Sequence, residues 1–436
     1  MKEVFRPDEA FGKLIPKQIL RSGLFYVPSQ FALSFSYHGR QFVFNTLTKL
    51  CIEAVLPRRA TAGGEYDELI VARFLVPEGT DELSFYRSVL SLLKLHDQKK
   101  RIPTYIIMPT FGCNARCVYC YQEGQLRTSM TEETIDNTLR FILRNCNGKK
   151  TVLSWFGGEP LLREDVIDRI CSGLKEAGIE YEGLMVTNGS LITPEIIGKM
   201  TMLWNVKQVQ VSMDGVEQDY YTRKQYLHYH DNYNSVIKAI DQMSDAGISV
   251  QIRCNCDRDN IVRISLFLND IAERIQHKEN ISVYLIPLYQ EMRSEQCIEL
   301  WTKILSFRKS ILDAGFSCLS GHVSNKLPSM RCMADGDGIV ISPDGTLYCC
   351  EHTPSFARIG NVLNGIIDQN ARKAFVGADK LPKTCENCVF LPDCMPITGC
   401  PNFGYTCKDV KKLFLVDAIQ RIIDENETQE HIGGAI

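Results

Sequence analysis

A long apolar run and a basic excess are each missing from this chain of 436 residues, and no secretory leader is expected. No window reaches the roughly eighteen unbroken apolar residues that a membrane-crossing helix needs. The start, Met1-Lys-Glu-Val-Phe-Arg-Pro7, puts acidic residues and a proline where a secretory signal requires an apolar core. A cytoplasmic protein without a membrane partner is therefore expected. The 49 Lys and Arg against 52 Asp and Glu leave a formal net charge of -3, which lacks the basic footprint of a nucleic-acid-binding domain. No DNA or RNA partner is expected. The length and a hydrophobic content of 44% suit two or three globular domains.

Cysteine, in contrast, is abundant at 18 residues. In a reducing compartment that count points to metal rather than to a disulfide framework. Cys51, Cys146, Cys171, Cys254, Cys256 and Cys297 are scattered through helix-like and strand-like stretches, where cysteine serves as a small buried hydrophobe. No role is assigned to them. Cys113-Asn-Ala-Arg-Cys117-Val-Tyr-Cys120 instead packs three thiols into eight residues, directly after the apolar run Tyr105–Thr110 and a Phe111-Gly112 pair. Thiolates at this spacing can hold three irons of a four-iron cluster, since thiolate is the ligand such clusters require. The fourth iron then keeps an open position where a substrate can coordinate, as in catalytic rather than structural metal sites.

Residues 1 to 100 read as a separate small α+β domain. Phe31, Leu33, Phe35 and Tyr37 alternate with small polar residues, and His38-Gly39 offers a tight turn before Phe42-Val-Phe44, which predicts a hairpin. A helix is expected from Thr46 to Leu56, a strand from Leu69 to Val76, and a second helix through Leu83, Tyr86, Leu90 and Leu93. Gln98-Lys-Lys-Arg101 reads as a linker.

From Tyr105 to Ala314 strands alternate with helices. Strands are expected at Tyr105–Thr110, Thr151–Phe156, Gly183–Thr187, Gln208–Ser212, Ser249–Asn255 and Ile281–Leu285. Ser129-Met-Thr-Glu132 reads as a capping box, Thr193-Pro194 as a helix start, and Gly178 and Gly247 as helix stops. Six such units predict an α/β fold, an incomplete (β/α)6 TIM-like barrel over residues 101–314. Chemistry in such folds collects at the C-terminal strand ends. Gly157-Gly158-Glu159-Pro160, Thr187-Asn188-Gly189, Ser212-Met-Asp214-Gly215 and Asn255 all fall there. The aromatic stretch Tyr220 to His230 lies near the same rim, as a surface loop or a substrate lid.

Residues 315–436 hold the second cysteine set: Cys332, Cys349, Cys350, Cys385, Cys388, Cys394, Cys400 and Cys407. Without context, Cys385, Cys388, Cys394 and Cys407 could form a tetrahedral zinc site. A C-terminal helix is expected from Val410.

The C-x3-C-x2-C spacing, with aromatic Tyr119 before the last Cys and the rim motifs in order, resembles the signature of the radical S-adenosylmethionine (SAM) enzymes. That resemblance implies a cluster on Cys113, Cys117 and Cys120 whose open iron chelates SAM and cleaves it to a 5'-deoxyadenosyl radical. It also implies SAM contacts from Tyr119, Gly157, Gly158, Glu159, Pro160, Asn188, Ser212, Asp214, Arg223 and Asn255. Gly157 to Pro160 would bind the amino group, and Ser212 and Arg223 the ribose and carboxylate.

The last third resembles the SPASM extension, which holds two auxiliary four-iron clusters, three clusters in all. Cys332, Gly345 and Cys350 fit its first part, and Cys385, Cys388 and Cys394 its second. The five residues between Cys394 and Cys400, where the pattern has three, depart from it. The outer cluster would take Cys385, Cys388, Cys394 and Cys407. The inner one would take Cys332, Cys350 and Cys400, with Cys349 the nearest candidate for a fourth ligand, and an open iron is favoured because adjacent strand residues face opposite ways.

The first hundred residues resemble the winged-helix elements that precede many peptide-modifying enzymes and bind a leader peptide as an added strand. The resemblance as a whole implies a peptide maturase that installs a carbon-carbon or thioether cross-link in a ribosomally made precursor, served by a flavodoxin or ferredoxin-type reductant. A sulfatase-maturing enzyme that forms formylglycine is the alternative within the class. A non-catalytic iron-sulfur electron carrier or peptide-binding protein is the alternative outside it.

Overall fold

The computed structural model describes residues 2–98, 102–146, 148, 150–228, 231–293, 297–319, 323–336, 338–352, 357–377, 381–394, 396–401, 403–404 and 407–433. Lys99 to Arg101 of the expected linker, and Tyr229 and His230 of the aromatic stretch, lie outside them. The chain forms two compact units, one of residues 102–320 and 333–375 and one of residues 1–101, 321–332 and 376–436. Residues 376–436, which the sequence groups with 315–375, thus pack with the N-terminal segment.

The second unit contains two small sheets. The strands β1 (Lys2–Phe5), β3 (Ala32–Tyr37), β4 (Arg40–Asn45) and β5 (Leu50–Glu53) form an antiparallel sheet in the order β1-β5-β4-β3. The strands β2 (Phe25–Pro28), β6 (Ala60–Thr61) and β7 (Leu75–Pro77) form the other, in the order β6-β2-β7. The β3–β4 hairpin is present, and its turn residues His38 and Gly39 both take positive φ, 47° and 74°, as a two-residue turn matched to strand twist demands.

Two expected elements fail here. Thr46 to Leu56 is not a helix but a tight turn and strand β5. Asn45 Oδ1 accepts from the amides of Leu47 and Thr48 at 3.0 Å each, and Lys49 turns left-handed at φ 61°. That side-chain acceptor competes with helical bonding. Leu69 to Val76 is not one strand either: helix α2 (Asp67–Val71) ends there, Arg73 reverses the chain at φ 62°, and β7 follows. The helices α1 (Glu9–Leu14) and α3 (Glu82–Gln98) complete the segment. Phe35, Phe42, Phe44 and Cys51 share one core cluster with Phe390 and with Leu415, Ile419 and Ile423 of the helix Lys408–Gly433. Buried Lys49 pairs with Asp393.

The other unit is built on the expected parallel strands: β8 (Thr104–Ile107), β9 (Thr151–Trp155), β10 (Tyr181–Thr187), β11 (Val206–Ser212), β12 (Ser249–Cys256) and β13 (Ile281–Pro287). They lie in sequence order, each parallel to the next. The strand β14 (Ser317–Cys318) extends the sheet beside β13 and β15 (Ile339–Ile341) beside β8, both parallel; the antiparallel strands β16 (Thr346–Tyr348), β17 (Arg358–Asn361) and β18 (Gly365–Ile366) follow β15. This is an α/β fold with a partial, barrel-like parallel sheet.

The crossovers are helices α4 (Glu132–Asn145), α5 (Glu164–Glu176), α6 (Pro194–Met202), α7 (Glu217–Lys224), α8 (Asn232–Asp245), α9 (Ile264–Arg274), α10 (Cys297–Ser306) and α11 (Arg308–Asp313). Thr193 caps α6 with Pro194 in its first turn, and Gly178 and Gly247 follow α5 and α8 at φ 69° and 77°. The capping-box reading needs correcting. The N-cap of α4 is Thr131, which accepts from the Thr134 amide at 3.2 Å, while Ser129 is held by Thr110 at 2.8 Å.

The faces of the sheet follow from one contact. Tyr105 of β8 packs edge-on against Phe141 of α4 at 6.2 Å, so its register partners Leu153 and Ile339 also face the helices. Alternation then turns Leu184, Gln210, Ser212, Gln251, Arg253 and Tyr284 to the inner face.

Candidate functional site

Every rim motif lies at or just beyond the C-terminal end of a strand, and the backbone links them. Gly158 N donates to Thr110 O at 2.9 Å and Glu159 N to Gly112 O at 2.8 Å, so the turn after β9 is laced to the segment after β8. A Cβ on Gly158 would fall 2.1 Å from Gly112 O. Only glycine permits that approach. Gly157, at φ 125°, adds a conformation that L-residues rarely adopt.

The loop from Cys113 to Cys120 is held from two sides. Asn188, after β10, donates from Nδ2 to Asn114 Oδ1 at 2.8 Å, and the same amide reaches Cys113 Sγ at 3.9 Å. From the end of α7, Lys224 and Gln225 carbonyls each accept from Arg116 N at 3.0 Å, Arg223 O accepts from Val118 N at 3.0 Å, and Leu227 N donates to Asn114 O at 2.9 Å. The stretch read as a surface loop or lid is therefore, over its described residues, a helix and a strap that carry the cysteine loop. Tyr220 is fully buried in it.

Charged groups beneath the loop are buried and paired. Asp214 accepts from Tyr119 Oη, and from Asn255 N at 3.1 Å and Nδ2 at 2.9 Å. Lys224, 2% exposed, bonds Ser212 Oγ at 2.7 Å and Tyr119 Oη at 3.1 Å and lies 3.4 Å from Asp214. Burial works against the Lys224 ammonium, and Asp214, Tyr119 and Cys117 outweigh it, so its pKa rises well above the ordinary lysine value. Burial likewise opposes ionised Asp214, and Lys224, the Tyr119 hydroxyl, Arg223 and Asn255 hold its pKa below the usual carboxylate value. Lys224 was not singled out from the sequence. Its only signal there is a lysine beside Arg223 in an aromatic run.

Glu159 is fully buried, with its carboxylate on the Thr187 hydroxyl at 2.7 Å, the Asn188 amide at 2.8 Å and the Leu161 amide at 3.2 Å. Arg223 pairs with Asp257 and donates to Asn255 O at 3.2 Å. Its Nε is buried with no hydrogen-bond partner among the described residues. Pro160 opens the short helical turn Pro160–Arg163.

The three thiols lie close enough to interact. Burial, together with Glu159, Cys117 and Cys120, pushes the Cys113 thiol up to about 11. Such thiols deprotonate on gaining a metal, and the proximity of Lys224 to Cys117 favours the thiolate. The glycine cradle, the convergent thiols and the unpartnered Arg223 Nε fit a four-iron cluster with a bound amino-acid ligand.

In the other unit, Cys385 lies within electrostatic reach of Cys394, Cys407 and Cys388, all of which raise its pKa after burial. That brings the expected outer set together. Cys332 and Cys400 belong to the same unit, whereas Cys349 and Cys350 belong to the barrel unit, where both are buried. Among the described residues no three His, Cys, Asp or Glu side chains close on a single-ion position, and no helix is long and apolar enough to cross a membrane.

Residues 107–258 match the Radical SAM superfamily. The chain carries a radical SAM domain, which implies one four-iron cluster and SAM. Radical SAM cyclopropyl synthase TigE of Paramaledivibacter caminithermalis is 23% identical over 372 residues, covering 75% of this chain and 74% of that protein. AdoMet-dependent heme synthase of Methanosarcina barkeri is 30% identical over 163 residues, covering 36% of this chain and 43% of that protein. Among solved structures, native anSMEcpe with bound AdoMet aligns at a TM-score of 0.59 and 18% identity, over 75% of this chain and 99% of that one. Streptococcus suis SuiB bound to precursor peptide SuiA aligns at 0.51 and 14%, over 86% and 95%. Both likenesses are of fold.

Proposed function

We propose that this chain is a radical SAM peptide maturase. Cys113, Cys117 and Cys120 would hold the cluster, which with SAM supplies the 5'-deoxyadenosyl radical. Gly157 to Pro160, Asn188 and the Arg223 Nε would seat the amino-acid end of SAM, and Tyr119, Ser212, Asp214 and Asn255 would frame the rest. The rim holds these groups rigidly, so that a substrate carbon-hydrogen bond can be positioned and water kept out. The observation that carries the reading is the three-thiol loop strapped over a buried, charge-paired rim.

Cys385, Cys388, Cys394 and Cys407 would hold an outer auxiliary cluster, and Cys332, Cys350 and Cys400 an inner one with an open iron, Cys349 being the nearest candidate in sequence for a fourth ligand. Residues 1–100 would recruit a leader peptide, for which edge strand β3 offers a place for an added strand. The product would be a cross-linked precursor peptide. Support for a peptide substrate comes from SuiB, solved with its precursor peptide, and from anSMEcpe, solved with a bound peptide.

The test is the variant carrying Cys113→Ala, Cys117→Ala and Cys120→Ala. It should fold, keep auxiliary iron and make no 5'-deoxyadenosine under dithionite. Continued SAM cleavage would sink the assignment.

A further inference from the structure

Among the described residues, one cation near this rim has no anion. Arg253 lies on the inner face of β12, between Ser212 of β11 and Tyr284 of β13 in register. Its Nε donates to Asn255 Oδ1 at 3.1 Å. Among the described residues no carboxylate forms an ion pair with it, whereas Arg223 has Asp257, Lys224 has Asp214 and Arg258 has Glu291. A guanidinium offers five N–H donors in a planar fork suited to a carboxylate. Here a neutral amide occupies one.

The surroundings are aromatic and half-buried. Tyr284 stands beside Arg253 in register, and His352 is within its electrostatic reach. The His352 ring lies 4.7 Å from Tyr121, which follows Cys120, and 6.5 Å from Tyr289. These rings form a wall from the cysteine loop toward Arg253. Below Arg253, the inner face continues with the neutral pair Gln210 and Gln251. Glu351 acts electrostatically on His352 and Tyr121 but makes no ion pair with Arg253. Holding a guanidinium partly out of water without a counter-charge is costly, and a bidentate anion arriving with the substrate relieves that cost.

We propose that Arg253 anchors a carboxylate of the peptide substrate, an acidic side chain or a free C-terminus, beside the radical site. The assignment rests on the chain being a peptide-modifying radical SAM enzyme. The carboxylate of SAM is a poorer occupant, since the reading above already assigns it to Arg223, whose Nε has no hydrogen-bond partner among the described residues.

The test uses the full-length, cluster-reconstituted protein with SAM and a library of N-acetylated heptapeptides. One arm carries internal Asp or Glu with an amidated end, each member with its Asn or Gln twin. The other has no acidic side chain and compares free with amidated C-termini. Retention on immobilised protein is read by mass spectrometry. One arm should favour acid over amide by about tenfold or more, as a charge-assisted bidentate contact implies, and that arm identifies the carboxylate. The ratio should fall to near one in Arg253→Gln, with intermediate retention in Arg253→Lys and SAM affinity unchanged in both. A ratio near one in the unaltered protein overturns the assignment, as does a preference that survives Arg253→Gln. Loss of SAM affinity with the peptide preference intact overturns it too, by moving Arg253 to the SAM site. Binding needs no turnover, so failed SAM cleavage by the unaltered protein would count against the radical reading alone.

Discussion

Lys224 Nζ lies 3.4 Å from Asp214 Oδ2, and both side chains are sealed from solvent, at 2% and 0% exposure. This pair ties the end of α7 to the end of β11 beneath the cysteine loop, so it connects the stability of the rim to the geometry of the site.

Breaking the pair from one side leaves a buried charge alone, which costs about 3–5 kcal/mol. Lys224→Met should lower the melting temperature and weaken SAM binding more than tenfold. Adding Asp214→Asn to it should recover part of the lost stability, because the orphaned charge is gone. Strictly additive losses in the double-mutant cycle would show that the two residues do not act as a pair.

The same pair sets an acid limit. The Asp214 pKa is depressed in the folded chain, so its contribution is fully present above the unfolded value of about 3.9 and is lost as pH falls through the folded one. The stability gap between the unaltered protein and Asp214→Asn should therefore be constant from about pH 7 to about pH 5 and narrow below about pH 4. Urea unfolding across that range measures it, and a gap that widens on acidification contradicts the sign.

Gly158→Ala forces a Cβ to within 2.1 Å of Gly112 O, an atom that cannot swing aside. The turn after β9 must separate from the segment after β8, so SAM affinity should fall more than tenfold with a lower melting temperature. A Cβ added to exposed Gly198 of α6 would meet no neighbour within 4 Å outside its own helix backbone, and Gly198→Ala should instead stabilise by about 0.5–1 kcal/mol. Calorimetry of the two variants decides.

Deleting residues 1–100 should yield insoluble protein. The deletion removes Phe35, Phe42, Phe44 and Cys51 from a core they share with Phe390, Leu415, Ile419 and Ile423, leaving a large apolar surface exposed. A soluble, monomeric truncation would show that residues 376–436 fold without the N-terminal sheets. Leader binding is better tested by Ser34→Pro on edge strand β3, which removes a backbone donor without emptying the core.

Much of the barrel was legible because its signals are local. The six strand runs, Thr193 as a cap, and Gly178 and Gly247 as stops each follow from a few adjacent residues. Thr46 to Leu56 was misread because the Asn45 side chain, outside the run, captures the amides that a helix would need. Ser129 was misread as a cap because its hydroxyl is claimed by Thr110, 19 residues away. The aromatic stretch looked like a loop because α7 has little apolar periodicity. Its burial comes from the cysteine loop hydrogen-bonded to its end and from Tyr233 of α8 against Tyr220, rather than from a stripe of its own.

The sequence by itself determined the three-thiol loop, the order of rim motifs and the parallel strands, because metal ligation and strand-helix alternation need only residue types at fixed spacings. The tertiary structure alone decided that Lys224 lies under the cysteine loop, that Arg253 faces inward without an anion among the described residues, and that residues 376–436 pack with the N-terminal sheets. Those relationships depend on strand register and on contacts between residues far apart in sequence. A one-residue slip would send Arg253 to the opposite face.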